Sequence, residues 1–219
     1  MKWKIIIVIR FQEFIGIIIY SAFHLIANYL LLSLSKKNEK NYQNPKILRT
    51  IAIINIIFII IGVCLVPFWD AGSPSDTRYL VNDIYYIIIR SFFGLVPYLI
   101  TFGVLLFIFG KRNQEQFGKY LKISGILAGI GYGISILAYL FISISIFVYN
   151  PSDILMSLVI PFNYIGFGLL IGCYIVITIH GTKNRDKNFT IFGSLYLIGF
   201  IVSLIISIIL YSLFPIELI

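Results

Sequence analysis

Charge is scarce in this chain. Of 219 residues only 12% are charged, and the mean hydropathy is +0.97, whereas a soluble domain carries about 25% charged residues. A water-soluble globular fold is excluded, and so is disorder, because so apolar a chain cannot stay solvated. Cysteine is nearly absent as well. Cys64 and Cys173 lie far apart within apolar stretches, so neither a disulfide framework nor a CxxC metal site is suggested. The two histidines, His24 and His180, fall at different depths and do not form a bis-histidine haem pair. No lysine stands inside an apolar stretch where a retinal-type Schiff base would need one. HExxH, GxSxG, a Gly-rich phosphate loop and paired intramembrane aspartates are all missing. The sequence therefore assigns no catalytic residue, no metal and no cofactor.

Apolar length is what the chain has in abundance. About 20 apolar residues in a helix cross the roughly 30 Å hydrocarbon core of a bilayer. Six stretches meet that requirement: 5–34, 51–68, 84–109, 123–148, 154–179 and 189–214. Separated by short polar breaks, they predict an all-α, polytopic transmembrane helical bundle of six spans in three hairpins, forming a single domain over residues 1–219. The start, MKWKIIIVIR, is basic and then apolar, but no small-residue cleavage site follows. It reads as a retained first helix and not as a removable signal.

The placement of the cations predicts the orientation, because short basic loops stay cytoplasmic. Lys36, Lys37, Lys40, Lys46 and Arg49 follow the first span. Lys111, Arg112, Lys119 and Lys122 follow the third, and Lys183, Arg185 and Lys187 the fifth. The other side has only Lys2, Lys4 and Arg78, with Arg10 just inside the first span. Both termini are expected outside a cell membrane and the basic loops inside. Trp3 and Trp69 fall at the outer ends, where indoles favour the headgroup layer. The expected partners are the lipid bilayer itself, anionic lipid at the basic loops and other membrane subunits. The net charge of +8 is not a nucleic-acid signal, since no basic stripe with interleaved exposed aromatics accompanies it.

The loops carry turn chemistry. Asp70-Ala71-Gly72-Ser73-Pro74-Ser75-Asp76 and Asn150-Pro151-Ser152-Asp153 supply turn-forming residues, and their acids do not have EF-hand spacing. The three basic turns share a basic residue, an Asn, mixed charges and an aromatic, with Asn38, Asn113 and Asn184 spaced by 75 and 71 residues. A triplicated hairpin would produce this pattern; so would any polar turn rich in Lys and Asn. Small residues recur at intervals of four on the later helices: Gly125, Gly129 and Gly133 with Ala128, Gly168 and Gly172, then Gly199, Ser203 and Ser207. Such stripes let membrane helices pack closely.

Only Arg10, Glu13 and Arg90 bring formal charge into the spans. At roughly 100° per residue, Arg10, Glu13, Tyr20, His24 and Asn28 lie within an arc of about 80° on the first helix. Asp83, Arg90, Gly94, Tyr98 and Thr101 do the same on the third, with Pro97 beside them, and Asn55 is the main polar insertion in the second. Intramembrane ionisable residues face the bundle interior or a water-filled cavity. Two facing stripes would frame an outward-opening pocket for a small anion or a lipid headgroup. Its ligand-binding candidates are Arg10, Glu13, Tyr20, His24, Asn28 and Arg90. The expected function is transporter-like or binding; an accessory subunit acting by helix packing and an intramembrane lipid-modifying enzyme are the other classes. Structural roles compete for the same residues, with the arginines reaching for headgroups and Arg10 pairing with Glu13 across one turn.

Overall fold

In hydrocarbon no water is present to satisfy backbone N–H and C=O groups, so a spanning chain must pair them within itself, as a helix does. The computed structural model describes residues 2–37, 44–65, 94–113, 118–147 and 153–213. Among them every element is helical and there is no strand. Six helices follow in order: α1 (Lys2–Lys37), α2 (Lys46–Leu65), α3 (96–112), α4 (Gly118–Phe147), α5 (Asp153–Lys183) and α6 (Lys187–Leu213). The helix α3 is composite, with one α-helical turn (Val96–Tyr98), a π-helical segment (Leu99–Leu105) and a closing α-helical segment (Leu106–Arg112).

Each helix packs on its neighbours in sequence, and α6 returns to pack on α1, so the six close into a ring. Four helical segments are long and apolar enough to cross a membrane: Lys46–Cys64, Gly118–Phe141, Pro161–Lys183 and Lys187–Ile206. The outer surface is apolar, with Ile57, Ile130, Leu140, Ile175, Ile201 and Ile208 among its exposed side chains. Contiguous apolar surface on this scale does not belong in water. The chain is a membrane-embedded helical protein.

Two of the basic turns close in the same way. The Asn113 backbone N–H donates to the Phe109 carbonyl at 3.2 Å, and the Asn184 N–H to the His180 carbonyl at 3.1 Å. Each Asn ends a small-x-basic-Asn run, Gly110-Lys111-Arg112-Asn113 and Gly181-Thr182-Lys183-Asn184. In both runs the glycine presses against the opening turn of the next helix. A Cβ on Gly110 would lie 2.5 Å from the Lys122 nitrogen, and one on Gly181 would lie 2.2 Å from the Thr190 nitrogen. The first basic turn carries the similar run Ser35-Lys36-Lys37-Asn38, with Ser35 buried; Asn38 lies outside the described residues.

The small-residue stripes divide into those that touch a neighbour and those that do not. Added Cβ atoms would meet Phe107 of α3 from Gly125, Leu127 from Gly172 and Phe23 of α1 from Gly199. Gly133 and Gly168 face open space, so the expected packing role does not extend to them. Their regular spacing continues past the point where the helix surfaces meet. One close α3–α4 approach involves a glycine outside the expected stripes. A Cβ on Gly103 would sit 2.9 Å from the Gly129 Cα, whereas one on Gly129 would find Gly103 at 3.7 Å.

That asymmetry is testable. Gly103→Ala forces two backbones apart and is expected to destabilise by about 1–3 kcal/mol, the usual cost of overpacking. Gly129→Ala makes an ordinary contact and should keep the parent's thermal stability in detergent. Equal melting temperatures for the two variants would contradict the crossing.

Candidate polar cluster in the bundle interior

The centre of the ring is aromatic. Phe102 meets Tyr174 and Tyr196 edge-on, with ring centroids 5.8 and 5.2 Å away. Tyr98 stacks on Tyr132 at 5.6 Å and Tyr174 on Tyr196 at 4.8 Å. Such offset and edge-on arrangements are the favoured ones, worth about 0.5–1.5 kcal/mol per pair beyond burial. The hydroxyls are drawn in as well, since Tyr132 Oη and Tyr174 Oη lie 2.7 Å apart.

A chain of polar side chains from four helices crosses this interior. The Thr101 hydroxyl on α3 has two acceptors within reach of its single proton, Asn55 Oδ1 of α2 at 2.7 Å and the Pro97 carbonyl at 2.9 Å. Asn55 Nδ2 donates to Asn28 Oδ1 of α1 at 3.2 Å. Asn28 Nδ2 donates in turn to the Tyr196 hydroxyl of α6 and to the His24 carbonyl one turn back. His24 Nδ1 lies 3.3 Å from the Tyr98 hydroxyl. His24, Asn28, Thr101 and Tyr196 are fully buried and Asn55 is nearly so.

Local structure explains why these groups meet. Pro97 has no N–H to give to the helix ladder, and the Thr101 side chain bonds back to its carbonyl. A side chain inserted into the ladder in this way is a recognised cause of local helix distortion. π-helical geometry flanks Pro97, at Gly94 and Leu95 and again over Leu99–Leu105, and the Leu106 N–H reaches five residues back to the Thr101 carbonyl. Within the widened turn Thr101 and Phe102 are adjacent in sequence, yet both are completely buried. On α6, Gly199 makes room for α1: a Cβ there would lie 2.7 Å from the Phe23 Cβ and 3.7 Å from the His24 ring. The His24 imidazole is thereby held between two tyrosine rings, Tyr20 at 3.7 Å and Tyr196 at 3.8 Å.

One atom in this cluster is left over. His24 Nε2 is buried and has no hydrogen-bond partner among the described residues. Buried polar atoms are seldom orphaned, and an ionisable side chain within a membrane bundle is a candidate functional group.

Of the six candidates named from sequence, Tyr20, His24 and Asn28 come together on the inward face of α1, Tyr20 half-buried and the other two buried. Arg10 and Glu13 belong to α1, but their side chains lie outside the described residues, as does the whole of Arg90. The sequence reading placed Tyr98 and Thr101 on the facing stripe without naming them as ligands. Asn55, the main polar insertion of α2, is not among the six candidates, although a lone amide in Ile51-Ala52-Ile53-Ile54-Asn55-Ile56-Ile57 is as strong a signal as any on α1. His180 is buried at the end of α5 against Phe189. The described residues contain no group of three His, Cys, Asp or Glu side chains that could hold a metal ion. No family model, no curated protein and no solved structure matches this chain.

The link between α2 and α3 can be measured by a double-mutant cycle in detergent with Asn55→Ala and Thr101→Val. Interhelical hydrogen bonds in membrane bundles couple by about 0.6 kcal/mol on average, and a coupling near that value is expected. Strictly additive losses would contradict the bond.

Proposed function

We propose that the protein is a non-enzymatic, multi-pass membrane protein of transporter-like or binding type, which takes a small anionic solute or a lipid headgroup into its interior. In this reading both termini lie outside the cell membrane and the basic turns face the cytoplasm. The observation that carries the proposal is the buried His24 cluster, with an imidazole nitrogen that has no partner among the described residues, in the inner half of the α1 polar stripe. Arg10 and Arg90 supply the anion contacts nearer the entrance, and Glu13 holds one guanidinium by a charge-assisted bond. Tyr20 marks the transition from entrance to interior, being half-buried where His24 and Asn28 are closed in.

Burying six polar side chains in hydrocarbon is costly unless they bond to each other, and a purely packed interior could be built from leucine alone. A ligand that needs donors and aromatic walls gives the cluster a use. The second reading, an accessory subunit that works by helix packing, is favoured by the close aromatic contacts of Phe102 with Tyr174, Phe192 and Tyr196.

Thermal unfolding of the full chain in a nonionic detergent separates the two readings, with inorganic phosphate and glycerol 3-phosphate as probes. Binding predicts a saturable rise in melting temperature that Arg90→Ala abolishes and Glu13→Gln weakens. A protein that responds to neither probe, and whose Arg90→Ala variant matches the parent in stability, supports the accessory role and overturns the pocket.

A further inference from the structure

The turn between α5 and α6 carries a second site, separate from the interior cluster. Gly181, Thr182, Arg185, Lys187, Thr190 and Ile191 line a cleft of about 510 Å³ on the outer surface there. We propose that this cleft binds the headgroup of an anionic phospholipid, with Arg185 and Lys187 holding the phosphate and the acyl chain lying against α6.

Position within the fold supports this ligand. One candidate span ends at Lys183 and the next begins at Lys187, so the cations stand where hydrocarbon gives way to headgroups. Arg185 and Lys187 are exposed, and Arg185 holds a left-handed backbone conformation with φ 53° that sets the shape of the turn. The guanidinium is suited to bidentate phosphate contact and the ammonium acts as a point charge. The Thr182 and Thr190 hydroxyls bond to the Thr178 and Asp186 carbonyls at 2.9 and 3.1 Å, which leaves their oxygens able to accept.

The walls of the cleft are almost wholly apolar, and the two charged side chains that line it are both cations. Its nearest acid, Asp186, is turned inward, where one carboxylate oxygen accepts the Asn188 backbone N–H at 2.9 Å. Burial outweighs its backbone hydrogen bonds and raises its pKa above the ordinary carboxylate value. Lys183 lies to one side, donating to the Tyr120 hydroxyl at 2.9 Å with its ammonium over the same ring. A free anion would need only the basic end of the cleft. The other end opens onto Ile191, the first of an exposed row on α6 continued by Ile198 and Ile205 at intervals of seven residues. Residues seven apart lie on one helix face, so an exposed apolar strip on which a hydrocarbon chain can lie leads away from the cations.

The test is native mass spectrometry of the full chain in nonionic detergent, titrated with phosphatidylglycerol, phosphatidylcholine or inorganic phosphate. Phosphatidylglycerol adducts are expected to survive detergent removal, to fall at least tenfold in the Arg185→Gln/Lys187→Gln double variant, and to persist in the Lys46→Gln/Arg49→Gln control. Equal retention of phosphatidylcholine, displacement of phosphatidylglycerol by inorganic phosphate, or an equal loss in the control variant would each overturn the proposal. Thermal unfolding of both double variants verifies that each remains folded. An unchanged adduct level in the Arg185→Gln/Lys187→Gln variant would also overturn it.

Discussion

A polar side chain inside a membrane bundle has no water as an alternative partner, so whatever it bonds to must come from another helix or from its own backbone. Asn28 lies at the centre of this constraint. Its amide bonds to Tyr196 of α6, to the backbone of α1 and, through Asn55, to α2, where Thr101 extends the chain to α3. Four helices are thereby brought into one register at one depth. Dispersion between apolar surfaces gives little preference for one rotation of a helix over another in lipid, because the tails are as apolar as the side chains. Directional bonds supply that preference.

Close approach is the second requirement, and glycine meets it. At the α3–α4 crossing, Gly103 faces the backbone of Gly129 with no space for a methyl group. On the opposite side of the ring Gly199 admits Phe23 and His24 of α1. The π-helical segment of α3 complements both, because its widened turn directs Thr101 to the amide chain and Phe102 to the aromatic centre. The polar network, the aromatic cluster and the glycine contacts are thus mutually dependent. A helix that rotated to improve one would disrupt the others.

Much of this was legible in the residues. Apolar length and loop charge gave an all-α bundle, and a period of 3.6 placed Tyr20, His24 and Asn28 on one inward face. Of the facing stripe, Tyr98 and Thr101 do reach the cluster, Asp83 and Arg90 lie outside the described residues, and from Leu99 to Leu105 a regular α-helical period no longer describes the chain. No local sequence pattern foretells that π-helical segment, although Pro97 followed by Thr101 is a physical reason for it. The glycine spacing was informative where helices meet and silent where they diverge, which is why Gly125 and Gly129 make contacts and Gly133 does not. Asn55 was visible but undervalued, because a single amide has no periodic partners and its role depends on which helix lies opposite. Tertiary neighbours of that kind are not written in the local pattern.

The central question is whether the polar face of α1 is open to one side of the membrane and closes at His24 and Asn28. Thiol accessibility in a background lacking Cys64 and Cys173 measures this directly. A cysteine replacing Tyr20 should react with a charged, membrane-impermeant thiol reagent added on the side of the N-terminus, while one replacing Leu31, deeper on the same helix, should remain unmodified. Equal rates at the two positions, or no reaction at position 20 from that side, would contradict an interior that opens toward the α1 entrance.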